Sequence, residues 1–494
     1  MRMLADGALL LELSNADALD LAAALTVAPP PGFLDAVPGA RTLLVLFDPA
    51  RFDPSSLDAV RKSAPRPPPR TVRLRAVYDG EDLPAIAAQT GLAIPELVRL
   101  HTQAVHTVAF LGFAPGFAYL TGAPLPLAVP RLKTPRLRVP AGSVAVADGY
   151  SAVYPLESPG GWRLIGRVAE RMFEVDASPP ALLRPGDRVV FEAVDQLPAM
   201  SAPIKLPPQG EPVLKAIAPG PLTTVQGGPR YGLCASGVPA GGAMDLPALA
   251  AVNALLGNAP DAAGLEFTIA GPELEALADV RVAANGAVRD LRTGDRIKIG
   301  MLKDGARGYV AVEGGLARPR PGEPTRALLK GDELTRPPAS GWPVGPRPEA
   351  RGPRPAFTAG VLHVRVLPGP QFDHFPAPER FFAAEYTLSP QSDRRGLRLK
   401  GPQLSPLRAD IPPEGTAPGA VQVPGDGLPI VLGPDRPVTG GYPKIATVIS
   451  ADLPLLAQAR PGARIRFLQV DLAEALGARE EGAHKTPGAR GGQP

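Results

Sequence analysis

The chain has 494 residues, a formal net charge of +4 and one cysteine, Cys234. That length exceeds what a single core organises, so several domains are expected. The small basic excess is spread along the chain with few aromatics between, which does not make a nucleic-acid groove. One cysteine excludes an internal disulfide and a multi-cysteine zinc site, consistent with a reducing compartment. Asp6, Glu12, Asp17 and Asp20 interrupt any signal peptide, and no uncharged apolar run reaches the ~18 residues of a membrane span. The expectation is a soluble cytoplasmic protein without nucleic-acid or membrane partners.

Glycine and proline, 54 and 64 residues, make up roughly a quarter of the chain, yet 45% of it is hydrophobic. Short apolar runs between Gly/Pro turns indicate a turn-rich β protein. Residues 1–70 read as a small α/β domain, with strands Ala8–Leu13 and Thr42–Phe47. Asn15 is expected to cap a helix over Asp17–Leu25, and Ser55 one over Leu57–Ser63. A Pro-rich joint, Pro65–Pro69, leads into residues 71–195. There the strand Val72–Tyr78 precedes two helical segments, Glu81–Gln89 and Pro95–His101. Strands Thr107–Leu111, Ser143–Ala147, Trp162–Val168, Met172–Val175 and Arg188–Glu192 follow. So many short strands suit a closed barrel without free edges.

Residues 196–212 read as a linker, 213–335 as a further domain, 336–355 as a Pro-rich loop and 356–472 as a second barrel domain. Residues 473–494 read as a disordered tail. The best helix, Asp245–Leu256, has Asp245 placed as its cap. Strands are expected at Val280–Ala284, Asp295–Ile299, Gly308–Val312, Leu362–Leu367, Ile430–Leu432 and Ile465–Gln469.

Five blocks recur in the same order. Pro115-Gly116, Arg136-Leu-Arg138, Gly142-Ser-Val144, Gly160-Gly161-Trp162 and Arg184-Pro-Gly-Asp-Arg188 are echoed by a second set. That set is Pro368-Gly369, Gly396-Leu-Arg398, Gly419-Ala-Val421, Gly440-Gly441-Tyr442 and Arg460-Pro-Gly-Ala-Arg464. The recurrence implies duplication of a β-rich domain.

The run from Thr107 to Leu120, together with Arg138-Val-Pro-Ala-Gly-Ser-Val144 and Ser158-Pro-Gly-Gly-Trp162, closely resembles the KipI family, the B component of the bacterial ATP-dependent 5-oxoprolinase. The second half resembles the KipA family, the C component of that enzyme. The resemblance runs through Pro219–Gln226, Gly242-Ala-Met-Asp245, Ser392-Asp-Arg394, Gly419–Pro424 and Thr439-Gly-Gly-Tyr-Pro-Lys444. The same pair of modules resembles the carboxyltransferase part of urea carboxylase. The resemblance implies a mainly β fold with α/β additions: two related cyclophilin-like β-barrels, each with an accessory domain, here fused in one chain.

It further implies ATP, with Mg, as co-substrate and 5-oxoproline as substrate. The implied partner is the separate A component of 5-oxoprolinase, a protein of the LamB/YcsF family. Alternatives are a carboxyltransferase module of a urea carboxylase system and a KipI-type histidine-kinase regulator. No biotin-carrier Met-Lys-Met motif and no P-loop occur, so no biotin is expected on this chain. The chain departs from the family at Gln226-Gly-Gly-Pro-Arg230, which lacks an acidic residue, at Tyr150, which replaces a glutamine, and in the compressed segment Ala317–Leu329.

Opening a lactam by phosphorylation requires cations for phosphate and carboxylate, and a base for water. Arg131, Arg138 and Arg394 are candidate anion clamps, although alternating arginines equally mark the outer face of a strand. Lys444 and Ser158 are candidate phosphate contacts, and His101, Glu157 and Glu266 candidate catalytic groups. His101 could also be a polar helix end. His101 and His106 are spaced for different faces of a helix or strand, so no metal pair is expected.

Overall fold

The computed structural model describes residues 1–60, 68–132, 134, 136–198, 210–323, 325–337 and 360–484, with side chains described up to 479. Most of the expected linker and Pro-rich loop, the joint Pro65–Pro69 save its last two residues, and the end of the tail lie outside the described residues.

Two closed seven-stranded barrels dominate. The first is built from Thr71–Val77, His106–Leu111, Ala118–Thr121, Ser143–Ala147, Tyr150–Val153, Arg163–Val168 and Arg188–Ala193. The second uses Val361–Pro368, Tyr386–Leu388, Gly396–Lys400, Ala420–Gln422, Ile430–Leu432, Lys444–Val448 and Arg464–Gln469. Counted in chain order, both barrels close in the same strand order, 1-6-4-5-3-2-7. In both, the first and last strands pair in parallel, Thr71 with Arg188 and Val361 with Arg464. Each barrel also carries a two-stranded antiparallel sheet outside the wall, Arg136–Val139 with Ser158–Gly160 in one and Glu414–Gly415 with Thr439–Gly440 in the other, paired like a hairpin although two barrel strands lie between its members in the chain. Identical closure with an identical appendage establishes the duplication.

Three of the five recurring blocks occupy equivalent places: Gly142/Gly419, Gly160-Gly161/Gly440-Gly441 and the Arg-Pro-Gly turns before the last strand. Two do not. The counterpart of Gly369 is Gly80, not Gly116. A Cβ on Gly80 would lie 2.3 Å from the carbonyl carbon of Ile165, and one on Gly369 2.8 Å from that of Ile445. Strand Gly396–Lys400 matches Ala118–Thr121, and the partner of Arg136 is Glu414: Arg136 faces Gly160 in its hairpin as Glu414 faces Gly440. An alternating Arg-x-Arg pattern fits any strand with a solvated face, so it carried no register information.

The N-terminal domain is a four-stranded antiparallel sheet, Arg2–Ala5, Ala8–Glu12, Thr42–Phe47 and Phe33–Pro38, with helix Asn15–Val27 against it. The helix is capped by Ser14, whose Oγ accepts from Asp17 N at 3.1 Å, rather than by Asn15. Asn15 instead donates to Gly39 O and Ala109 O, tying the sheet to the first barrel. One face of the sheet buries Leu9, Leu11 and Val45 under the helix. The other buries Leu10, Leu44 and Leu46 against Ala417 and Val438 of the second barrel domain. The N-terminal sheet is thus a covering layer for the second barrel.

Residues 210–337 hold a four-stranded and a five-stranded sheet around one core that includes Leu214, Leu265, Phe267 and Val310. Asp245 caps helix Leu246–Ala254, accepting from Ala248 N at 2.9 Å. Met172–Val175 is not a strand; only an isolated bridge, Phe173 to Ala181, forms there. The tail expected to be disordered is helical over Leu472–His484. Asp471 Oδ1 accepts from Glu474 N, and Ala475 is buried against Leu367, Ile449 and Val470. Arg479 pairs with Asp48 at 2.9 Å. Capping and a small apolar face outweigh the polar composition.

Candidate functional site

The sixth strand of the second barrel begins at Lys444, directly after the Gly440-Gly441 turn. Its ammonium is 0% exposed and donates to Glu414 Oε1 at 2.7 Å. Glu414 stands on the outer hairpin and also accepts from Gln371 Nε2 at 2.9 Å. Gln371 is fixed by the backbone of Lys444, accepting from its N–H at 3.1 Å and donating its own N–H to its carbonyl at 3.2 Å. Gln422 faces Lys444 on the neighbouring strand. Its Nε2 would lie 2.4 Å from a Cβ on Gly440, so a side chain there would push the Gln422 amide aside.

Glu414 and Gln371 of this cluster line a cavity of about 230 Å³, and Lys444 lies buried behind them, outside the lining. Pro370, Gln371 and Glu414 line it from the second barrel, and Arg2, Leu10, Glu12 and Thr42 from the N-terminal sheet. Arg2 donates to Pro370 O across the two walls. Thr42 Oγ1 in this lining has no hydrogen-bond partner among the described residues, nor has Gln422 Nε2, which lies outside the lining on the strand beside Lys444. A desolvated ion pair with unpartnered donors beside it is costly for stability alone and suits a polar ligand.

In the first barrel the equivalent positions are Asp82, Arg136 and Leu164. Asp82 accepts from Leu164 N at 2.6 Å and donates its N–H to Leu164 O at 3.1 Å, the same backbone pairing that Gln371 makes. Its two oxygens take Arg136 at 2.9 Å each. Leu164 replaces the lysine, and the ion pair closes on itself. The second barrel therefore holds the open site.

The eight candidates read from the sequence are not brought together. Lys444 is fully buried and reaches the cavity only through Glu414, which lines it. His101 is 0% exposed inside the first barrel, with Nδ1 at 2.7 Å from Tyr78 Oη and Nε2 at 3.1 Å from Ser151 Oγ. Burial, and then neighbouring His106, hold its pKa well below the ordinary imidazole value. Arg138 and Glu157 form a surface ion pair at 2.6 Å on the first hairpin, with Arg138 76% exposed, and Ser158 follows on the same hairpin.

Arg131 lies at the junction of the halves, 3.0 Å from Asp148 and 3.8 Å from Asp410, beside Gly441. Glu266 and Arg394 pair at 2.6 Å and are both buried. Glu266 also accepts from Tyr309 Oη and Met244 N at 2.8 Å each, and Arg394 also grips Asp435 and Gly242 O. Burial opposes the Arg394 charge, but Glu266 and Asp435 outweigh it and raise its pKa. This saturated network clamps the 210–337 domain to the second barrel. Asp245 belongs to it through its N–H, which donates to Tyr309 Oη at 2.9 Å, and its carboxylate accepts from Gln458 of the second barrel domain at 2.7 Å.

Glu414, Gln371, Gln422 and the sheet residues Arg2 and Thr42 were not found from sequence. The duplication could not point to Gln371, because the Pro368-Gly369 block before it matches Gly116 in sequence whereas its structural counterpart is Gly80. Nothing local marks Glu414 or Thr42, which meet only through tertiary packing. Among the described residues no group of three or more His, Cys, Asp or Glu could hold a metal ion.

Fold and site together define a two-part carboxyltransferase-domain protein. Residues 1–183 match the model of carboxyltransferase domain subdomains C and D, and residues 236–469 that of subdomains A and B. The chain is 35% identical over 304 residues to the C component of 5-oxoprolinase from Escherichia coli K12, which covers 54% of this chain and 95% of that one. It is 40% identical over 172 residues to the B component of 5-oxoprolinase from Escherichia coli O157:H7, covering 33% of this chain and 78% of that one. The crystal structure of TTHA0988 superposes with a TM-score of 0.83 at 36% identity, over 93% of this chain and 99% of that one. The chain belongs to the family of 5-oxoprolinase B and C components, with the two types joined in one polypeptide.

Proposed function

We propose that this chain is the B/C component of an ATP-dependent 5-oxoprolinase. It converts 5-oxo-L-proline to L-glutamate with ATP cleavage, together with a separate A component of the LamB/YcsF kind. The observation that carries the reading is the buried Lys444–Glu414–Gln371 cluster under a polar cavity walled by both halves. Family membership supports the activity.

Transfer of the γ-phosphoryl group to the lactam oxygen breaks the bond to ADP and leaves an electrophilic imidate carbon. Water adds there, the C–N bond breaks with its electron pair on nitrogen, and a second water hydrolyses the acyl phosphate to carboxylate and phosphate. Lys444, buried behind the lining and bonded to Glu414, is suited to orient that carboxylate. Glu414, whose Oε1 takes both Lys444 and Gln371, has Oε2 available to accept the lactam N–H or orient water. Mg would arrive with the nucleotide as part of the co-substrate.

The test is to mix the purified chain with its LamB/YcsF-type partner. Glutamate and phosphate are expected only when ATP, 5-oxoproline and both proteins are present. Full turnover without the partner, or a silent mixture of two folded proteins, overturns the reading.

A further inference from the structure

Two of the departures from the family pattern meet in space. Gln226-Gly-Gly-Pro-Arg230 has Gly227 where the resembled motif has its acid, and the compressed segment Ala317–Leu329 supplies Arg318. A Cβ on Gly227 would lie 1.9 Å from Arg318 Nη2, 2.4 Å from its Nε and 2.5 Å from its Cζ. The Arg318 guanidinium therefore fills the space that an acidic side chain at position 227 would take. Arg230 donates from Nη1 to Pro319 O at 2.6 Å, so its own guanidinium lies beside the residue that follows Arg318. Arg318 Nη2 donates to Asp261 O at 2.7 Å, again a backbone carbonyl. Among the described residues neither arginine forms an ion pair, and the nearby acids are engaged elsewhere. Arg320 takes Asp176 and Glu323, Arg326 takes Asp332, and the Asp261 carboxylate lies against Gly228.

Two half-buried cations side by side, each answered only by a carbonyl, lack a counterion. Burial lowers both pKa values, that of Arg230 further through repulsion from Arg318, and Glu323 and Asp261 only partly oppose this. Both guanidiniums nonetheless stay charged. Their backbone is braced: Arg230 N donates to Ala240 O and Ala243 N to Gly227 O, at 2.8 Å each. Each described bond uses one guanidinium nitrogen, which leaves the rest of both forks for a ligand. A phosphate-class dianion answers both charges at once and offers oxygens to both forks, whereas a single carboxylate answers one. We propose that Arg230 and Arg318 form a binding site for a phosphate-class dianion, created in this chain by the loss of the acid at position 227. None of these residues lines the cavity beside Glu414. The site is therefore separate from the proposed reaction centre, and the inference does not rest on the 5-oxoprolinase reading. Free phosphate and the phosphate of a phosphomonoester share the chemistry it recognises.

The test titrates the full chain with inorganic phosphate, following binding heat and melting temperature against sodium chloride at equal ionic strength. Wild type should bind phosphate saturably, with a rise in melting temperature that chloride does not reproduce. Gly227→Asp sets a carboxylate against the Arg318 guanidinium, which can shift because the Cβ meets only the far end of that side chain. This variant should melt no lower than wild type without phosphate, yet bind phosphate about 10-fold or more weakly, the scale of a lost charge-assisted hydrogen bond. Arg318→Gln should weaken binding to a similar degree, and it decides the matter if Gly227→Asp does not fold. Glycerol phosphate separates the two sources. Equal binding of both anions assigns the site to a phosphomonoester, and binding of inorganic phosphate alone assigns it to the free ion; either supports the site when the variants lose it. A wild-type response no greater than that to chloride for both anions overturns the inference, as does undiminished binding in the folded variants.

Discussion

Gly112 of the first barrel faces Thr439 of the second so closely that a Cβ on the glycine would lie 2.0 Å from the threonine Oγ1. The same hydroxyl accepts the N–H of Phe113 at 2.9 Å. Thr439 begins the hairpin strand that ends in Gly440, so the contact between the halves bears directly on the cavity floor. Gly112→Ala should cost about 1–3 kcal/mol by overpacking. Thr439→Ala removes two of the three clashing atoms, so the double variant should recover part of that loss. Denaturant unfolding of the four proteins measures the coupling; strict additivity would show that the two residues do not constrain each other.

His101 and His106 give the first barrel a pH dependence of definite sign. Burial lowers both pKa values, that of His101 further through His106, while a hydrogen bond to His101 O partly opposes the shift of His106. In the unfolded chain both titrate near the ordinary value of 6.5. The unfolded state therefore binds more protons below that pH, and stability falls as the solution is acidified from pH 7 to pH 5. The slope should approach ~1.4 kcal/mol per pH unit for each histidine. His101→Gln should flatten it. Melting temperature against pH checks this, and a steeper slope in the variant would contradict the burial argument.

Arg394→Met should be a stability variant before it is an activity variant. It would leave Glu266 and Asp435 facing each other's neighbourhood without their cation, at a cost of about 3–5 kcal/mol. Arg394→Lys keeps a charge but cannot span Glu266, Asp435 and Gly242 O together, so an intermediate loss is expected in chemical denaturation. A near-neutral Arg394→Met would return this arginine to the ligand-binding candidates.

The architecture was legible because closed barrels impose turns at regular spacing. Gly142 and Gly419 were recognisable in sequence, and in both a Cβ would crowd a backbone oxygen, that of Val168 or Val448. Register was less legible, because the hairpins carry different chemistry: Arg136 in one and Glu414 in the other answer the same position. Duplicated folds keep backbone geometry while their side chains diverge, so motif matching found the glycines and missed the charges. The site was half legible. Lys444 follows a recognisable turn, but its partners Glu414 and Gln371, and Thr42 above them, come from three separate segments. His101 read as a candidate base or as a polar helix end; instead helix Ile94–Gln103 turns it inward onto Tyr78 and Ser151.

Lys444 and Glu414 should separate stability from chemistry. Lys444→Met leaves Glu414 with a buried charge and only Gln371 to answer it, which should destabilise the fold by about 3–5 kcal/mol. Glu414→Gln alone leaves the lysine charge unpaired in the barrel wall, with a similar penalty. In the double variant, Lys444→Met with Glu414→Gln, both charges are gone, and the new amide can still accept from Gln371. Most of the lost stability should return, because removing both partners of a buried pair is far less costly than removing one. Activity should not return: 5-oxoproline-dependent phosphate release in the mixture with the LamB/YcsF-type partner should be abolished in all three variants. Thermal unfolding and phosphate release measured on the same preparations decide the matter. A stable, active double variant would make the pair a packing device, and the reaction centre would have to lie elsewhere.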